Sequence, residues 1–144
     1  MIRSESSVKI SKPAAALFAI VADFARAPAW LEGCVLLKLA AGGVMAPGAG
    51  LQYVYRQGSR PGEMDGRITA LEPDRRLTMQ FTDRKFEVEM DIALSEEHGD
   101  TRVTHAITIT PKTFGGRLMA PLIRLGNRRQ VKMNLIRLKR LTAA

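Results

Sequence analysis

The sequence predicts an α+β fold: a curved seven-stranded antiparallel sheet, two short helices and a long C-terminal helix, arranged as one domain over residues 1–144. Three observations lead there. Apolar and polar residues alternate with period two in one short segment after another. Turns rich in Gly, Pro and Asp separate those segments. Over residues 115–142 the period becomes helical.

Ile2 to Ile10 alternates, with Val8 and Ile10 on one face and Arg3, Glu5 and Lys9 on the other, which reads as a half-buried strand. Pro13 suits a first helical position, where its missing N–H costs nothing, and opens a short apolar helix containing Leu17, Phe18 and Val21. Asp23 is placed to cap a second short helix holding Phe24, Pro28, Trp30 and Leu31. Val35 to Leu39 is a strand ended by Gly42-Gly43 and the Pro47 to Gly50 loop. Leu51, Tyr53 and Tyr55 then alternate with polar neighbours, as do Met64, Gly66, Ile68 and Ala70, and after them Leu77, Met79 and Phe81. Phe86, Val88, Met90, Ile92 and Leu94 alternate with Glu87, Glu89, Asp91 and Ser95. Gly99-Asp100 turns the chain into Val103, His105, Ile107 and Ile109. Consecutive strands with short turns make an antiparallel meander with one wet and one apolar face.

In the last element, at 100° per residue, Leu118, Leu122, Leu125, Met133 and Ile136 fall on one stripe roughly 80° wide, and Arg117, Arg124, Arg128, Lys132 and Lys139 on another. Pro121 marks a first turn or a kink. A curved sheet must cover its apolar face, and this helix is expected to do so with its leucine stripe. The gap left by the curvature becomes an apolar cavity.

Hydrophobic residues make up 46% of the chain and charged residues 25%, which excludes a disordered or low-complexity chain. The one cysteine, Cys34, excludes an intramolecular disulfide framework. With no apolar leader at Met1 to Glu5 and no long apolar run, a soluble cytoplasmic protein is expected. The net charge of +8 is unevenly spread: all 14 Asp and Glu lie in residues 1–100 with 12 Lys and Arg, whereas residues 101–144 carry 10 basic residues and no acid. One basic surface is therefore expected near the C-terminus.

The order of elements and several strings resemble the START/Bet v 1-like (SRPBCC) superfamily, in particular bacterial polyketide cyclase/dehydrase-type proteins. The matching pieces are Ile10-Ser11-Lys12-Pro13, Leu17 to Asp23, Pro28-Ala29-Trp30, Gly50, Ile68 to Pro73, Gly99 to Thr104 and Leu138-Lys139-Arg140-Leu141. The resemblance covers nearly the whole chain. It implies a helix-grip fold with an apolar cavity under the last helix, and no particular reaction.

The chemistry-bearing residues are few. His98 reads as a solvated turn residue. His105 has the inward strand phase, and a satisfied core histidine is the favoured reading over a catalytic one, though it is the one weak catalytic candidate. Cys34 reads as a small buried hydrophobe. Glu87, Glu89 and Asp91 fall on the wet face away from His105, so no metal site is expected, and no cofactor is called for.

Tyr53, Tyr55, Met64, Met79, Phe81, Met90 and His105 share the inward phase. Methionines adapt to irregular partners and tyrosines need a polar outlet, so this set suits a ligand pocket better than a plain core. With Ile68, Val88, Leu122 and Leu125 added, they are the expected ligand-binding residues. The expected function is binding or transport of a hydrophobic small molecule: a lipid, an isoprenoid or a polyketide-like aromatic. A cyclase or dehydratase using the same cavity is the alternative, with His105 and Tyr53 or Tyr55 as proton carriers. Attachment of the basic helix to a ribosome or an anionic membrane is another. For Arg124, Arg128 and Lys132 a solvated helix face is favoured over membrane or RNA, since no surface aromatic is foreseen beside them.

Overall fold

The computed structural model describes residues 1–143; Ala144, the last residue of the expected domain, lies outside the described residues, as does the side chain of Gln57. The chain runs β1 (Ile2–Ile10), α1 (Ala14–Val21), a 3-10 turn (Phe24–Arg26), α2 (Ala27–Trp30), β2 (Cys34–Leu39), β3 (Gly50–Gln57), β4 (Arg60–Glu72), β5 (Arg76–Thr82), β6 (Phe86–Glu97), β7 (Asp100–Pro111), α3 (Phe114–Leu118) and α4 (Ala120–Ala143). The seven strands form one antiparallel sheet in the order β1-β7-β6-β5-β4-β3-β2. The sheet is thus a meander from β2 to β7, with β1 added beside β7.

Register follows the alternation. Met79 of β5 pairs with Met90 of β6, Met90 with Ile107 of β7, and Ile92 with His105, so the apolar partners share the concave face. Bulges between Cys34 and Leu36 and between Ile68 and Ala70 bend the sheet. The first of them puts both Val35 and Leu36 outside while Cys34 and Leu37 stay buried. His98 (φ 56°) and Gly99 (φ 84°) form the two-residue turn joining β6 to β7.

Pro13 sits one position earlier than expected, extended at the N-cap of α1 with no side-chain bond to offer. Glu96, at the far end of β6, supplies the acceptor instead: its carboxylate takes the Ala14 N–H at 2.6 Å. The Thr101 hydroxyl donates to the Lys12 carbonyl at 2.7 Å, fastening the same corner. Asp23 caps the 3-10 turn through the Ala25 N–H.

The expected single helix over 115–142 is two helices, broken at Met119, with Pro121 in the first turn of α4. A larger correction concerns its face. The buried residues of α4 are Asn127, Val131, Asn134, Leu135, Leu138 and Thr142. Leu122, Leu125 and Ile136 are exposed on the opposite side of α4, and Leu118, now on α3, is exposed as well. The helix packs chiefly on β1, with α2 and β7 next, and these surfaces offer hydrogen-bond partners that two inward asparagines can reach.

Candidate functional site

The concave face is closed at one end and open at the other. At the closed end Leu17, Ile68, Leu77, Ile92 and Val103 have essentially no exposure. The Met45 loop helps seal it: Gly48 donates to the Ile68 carbonyl, Ile68 donates to the Ala49 carbonyl, and Met45 packs on the core. At the other end lie the C-terminal ends of β3, β5 and β7 and the start of β6. There Tyr55, Phe86, Val88 and Ile109 face inward yet remain half-buried. Segment 116–127 spans this end, from Gly116 against Pro111 and the Phe86 ring to Asn127, which donates to the Ile107 carbonyl at 2.9 Å. Ile123 is half-buried there, whereas Pro121, Leu122, Arg124, Leu125 and Gly126 are exposed. The first turns of α4 therefore overhang an incompletely covered apolar surface.

Behind that mouth stands an aromatic row. The Tyr53 ring lies 5.6 Å from Tyr55 and 5.0 Å from Phe81, centroid to centroid. Two glycines make room for it: a Cβ on Gly62 would meet the Tyr55 ring, and one on Gly66 would meet Phe81. Burial raises the Tyr53 phenol above its ordinary value. Burial and then the nearby Asp83 carboxylate raise Tyr55. Both are thus neutral phenols that can donate a hydrogen bond at neutral pH. Burial lifts the Cys34 thiol to about 11, against a backbone hydrogen bond from Leu36, so it is not a nucleophile.

His105 is fully buried, and both ring nitrogens are engaged. The Asp91 carbonyl, 3.1 Å from Nδ1, can only accept, so Nδ1 carries the proton. Nε2 then accepts from the Asn134 amide at 3.0 Å, and Asn134 Oδ1 accepts the Glu32 N–H at 2.7 Å. Trp30 stands edge-on to the imidazole, 6.0 Å away. Burial lowers the His105 pKa to about 4, outweighing the Asp91 carbonyl. The ring is a neutral bridge joining β6, β7, α4 and the segment after α2.

Of the expected ligand-binding residues, the structure brings Tyr53, Met64, Ile68, Met79, Phe81, Met90 and His105 together on the concave face, all buried, with Tyr55 and Val88 at its open end. Leu122 and Leu125 are not among them: they point away from the sheet because the asparagine-bearing face of α4 turns inward. Among the described residues, two surface hollows stand out, and both lie outside the concave face. One of about 320 Å³ is lined by Asp65, Arg67, Gln80 and Glu87. The other, of about 310 Å³ between β1 and α4, is lined by Ser4, Ser6, Arg128 and Lys132.

The sequence does not mark Phe86, Ile109 and Ile123 as mouth residues, nor Asn127 and Asn134 as inward ones. The available signal was two asparagines seven apart on one helix face, opposite an inward strand histidine. Among the described residues no group of three His, Cys, Asp or Glu is placed to hold a metal ion, and no helix is long and apolar enough to cross a membrane.

A family model described as polyketide cyclase / dehydrase and lipid transport matches residues 1–143. No curated protein matches the sequence significantly. Among solved structures, a Thermus thermophilus protein superposes with a TM-score of 0.79 at 15% identity, covering 99% of both chains. A Streptomyces aromatase/cyclase does so at 0.74 and 11% identity, covering 97% of this chain and 94% of its own. A START superfamily protein from Mycobacterium smegmatis reaches 0.64 at 12% identity, covering 93% of this chain and 98% of its own. At these identities the likeness is one of fold.

Proposed function

The chain belongs to the polyketide cyclase / dehydrase and lipid transport family, and from that premise we propose that it binds a hydrophobic small molecule between the sheet and α4, working as one domain over residues 1–144 in the cytoplasm. The carrying observation is the open end of the concave face, where Tyr55, Phe86, Val88 and Ile109 stay half-buried beneath the overhanging turns of α4. Apolar surface left uncovered beside a packed core is a binding surface in waiting. Met64, Met79 and Met90, behind it, can re-pack around an entering body, since methionine has several low-cost rotamers. Tyr55 offers a neutral hydroxyl to one polar end of the guest. A lipid, an isoprenoid or a polyketide-like aromatic has that form.

Carriage is favoured over cyclisation or dehydration by the state of His105. A proton shuttle needs a nitrogen facing the substrate, and both nitrogens here hold structural hydrogen bonds deep in the protein. Native mass spectrometry after incubation with lipid and aromatic extracts tests the reading. A discrete adduct is expected on the wild-type chain and not on Val88→Trp, which fills the mouth without entering the core. A bare mass throughout, or equal adducts on both proteins, overturns it.

A further inference from the structure

Six of the large apolar side chains that stand exposed lie within residues 114–136. Phe114 is 75% exposed, Leu118 68%, Leu122 and Leu125 65% each, and Met119 50%. Phe114 and Leu118, four apart, lie on α3, Met119 caps it, and Leu122 and Leu125, three apart, lie on the first half of α4. Ile136 lies further along the outer stripe of α4, where the hydrophobic residues looked from the sequence as if they faced the core. Arg117, Arg124 and Arg128 are interspersed with them, and no acidic residue occurs anywhere after Asp100. Among the described residues, Arg129 is the one basic side chain of these helices in an ion pair, with Glu32. Glu5, which lines the groove beside Arg128 and Lys132, is paired with Arg3.

Leaving this much apolar side chain in water is unfavourable unless something covers it. A second copy of the chain is disfavoured, because two such faces would bring like charge against like charge. RNA would use the arginines and could stack a base on Phe114 alone, but gain little from Leu118, Met119, Leu122 and Leu125, which offer no ring. A helix with leucine and phenylalanine set among arginines matches an interface between acyl chains and anionic headgroups. The exposed Phe114 supplies the surface aromatic that the sequence had not promised.

We propose that the outer face of α3 and the first half of α4 docks on an anionic lipid bilayer, with Phe114, Leu118, Leu122 and Leu125 at the acyl boundary and Arg117 and Arg124 at the headgroups. The same segment overhangs the open end of the concave face, so docking would place the mouth at the lipid surface.

Flotation with vesicles tests this, using phosphatidylcholine alone and phosphatidylcholine with about a third phosphatidylglycerol. The wild-type protein is expected to float with the anionic vesicles, less so as salt rises, and hardly with the neutral ones. Leu122→Ser/Leu125→Ser keeps every charge and should bind roughly tenfold more weakly or worse. Arg117→Glu/Arg124→Glu should lose at least as much, at about fivefold per basic residue removed. Unchanged melting curves are expected of both, since the altered side chains are exposed. No flotation overturns the proposal. So does undiminished binding by the serine variant, or retardation of RNA without vesicle binding, or a dimer at micromolar concentration in light scattering. The outcome is separate from that of the adduct experiment, which involves no vesicles: either can fail alone.

Discussion

Acidification should weaken this protein through one residue. An imidazole that titrates near 6.5 in the unfolded chain titrates at about 4 in the fold, where burial disfavours its charge. Between these values the unfolded state binds the extra proton, so the stabilisation is whole above pH 6.5 and is lost as pH falls toward 4. Carrying the two pKa values through the linkage relation removes about 2 kcal/mol by pH 5 and about 3 kcal/mol by pH 4. The geometry says why relief is hard to find. Protonation makes Nε2 a donor facing the Asn134 amide, also a donor, and turning that amide over would break the bond its oxygen takes from the Glu32 N–H. Urea unfolding of the wild type and of His105→Leu, at pH 8 and pH 5, measures the effect. The variant is expected to be less stable at pH 8 but to lose about 2 kcal/mol less on acidification. Equal losses in the two proteins would refute the buried neutral histidine as the origin.

Asn134→Ala leaves His105 Nε2 and the Glu32 N–H without partners, and a loss of roughly 2–4 kcal/mol in urea unfolding at pH 7 is expected; a loss under about 1 kcal/mol would show that α4 is not held by this bridge. Gly66→Ala puts a methyl 2.4 Å from the Phe81 ring and 2.7 Å from the Gln80 carbonyl, so a loss of about 1–3 kcal/mol is expected by calorimetry, with a displaced Phe81. Leu138→Ala, at a site with no exposure, should cost about 2–5 kcal/mol, whereas Leu122→Ala should stay within about 0.5 kcal/mol. The pair assigns the inner and outer faces of α4 by stability alone.

The strands were legible because a half-buried strand writes its two faces directly into the sequence: Phe86 to Ser95 alternates and Phe86–Glu97 is β6. Helices conceal more. A buried stripe of Asn127, Val131, Asn134, Leu135 and Leu138 scores poorly by hydrophobicity, while Leu122, Leu125 and Ile136 score well on the wrong side. The asparagines belong inside because His105 Nε2, the Glu32 N–H and the Ile107 carbonyl stand there within reach of their amides, and that complementarity joins residues distant in sequence. The concave-face residues were legible for the same reason as the strands. The mouth was not, because it depends on where segment 116–127 crosses the sheet.

The placement of β1 sets an order of assembly. Ile10 pairs with Thr101 and Ile2 with Ile109, so this strand has no sheet partner until about a hundred residues later. The β2–β7 meander closes through neighbours, whereas the β1–β7 seam closes a long loop, the slow kind of contact. At the usual pace of synthesis β1 waits roughly 5–20 s, single-stranded. Its concave face carries Ser4 and Ser6 between Ile2 and Val8, a strand too polar to recruit another in the interval. Since α4 rests chiefly on β1, the gripping helix has its main seat only once that seam is formed.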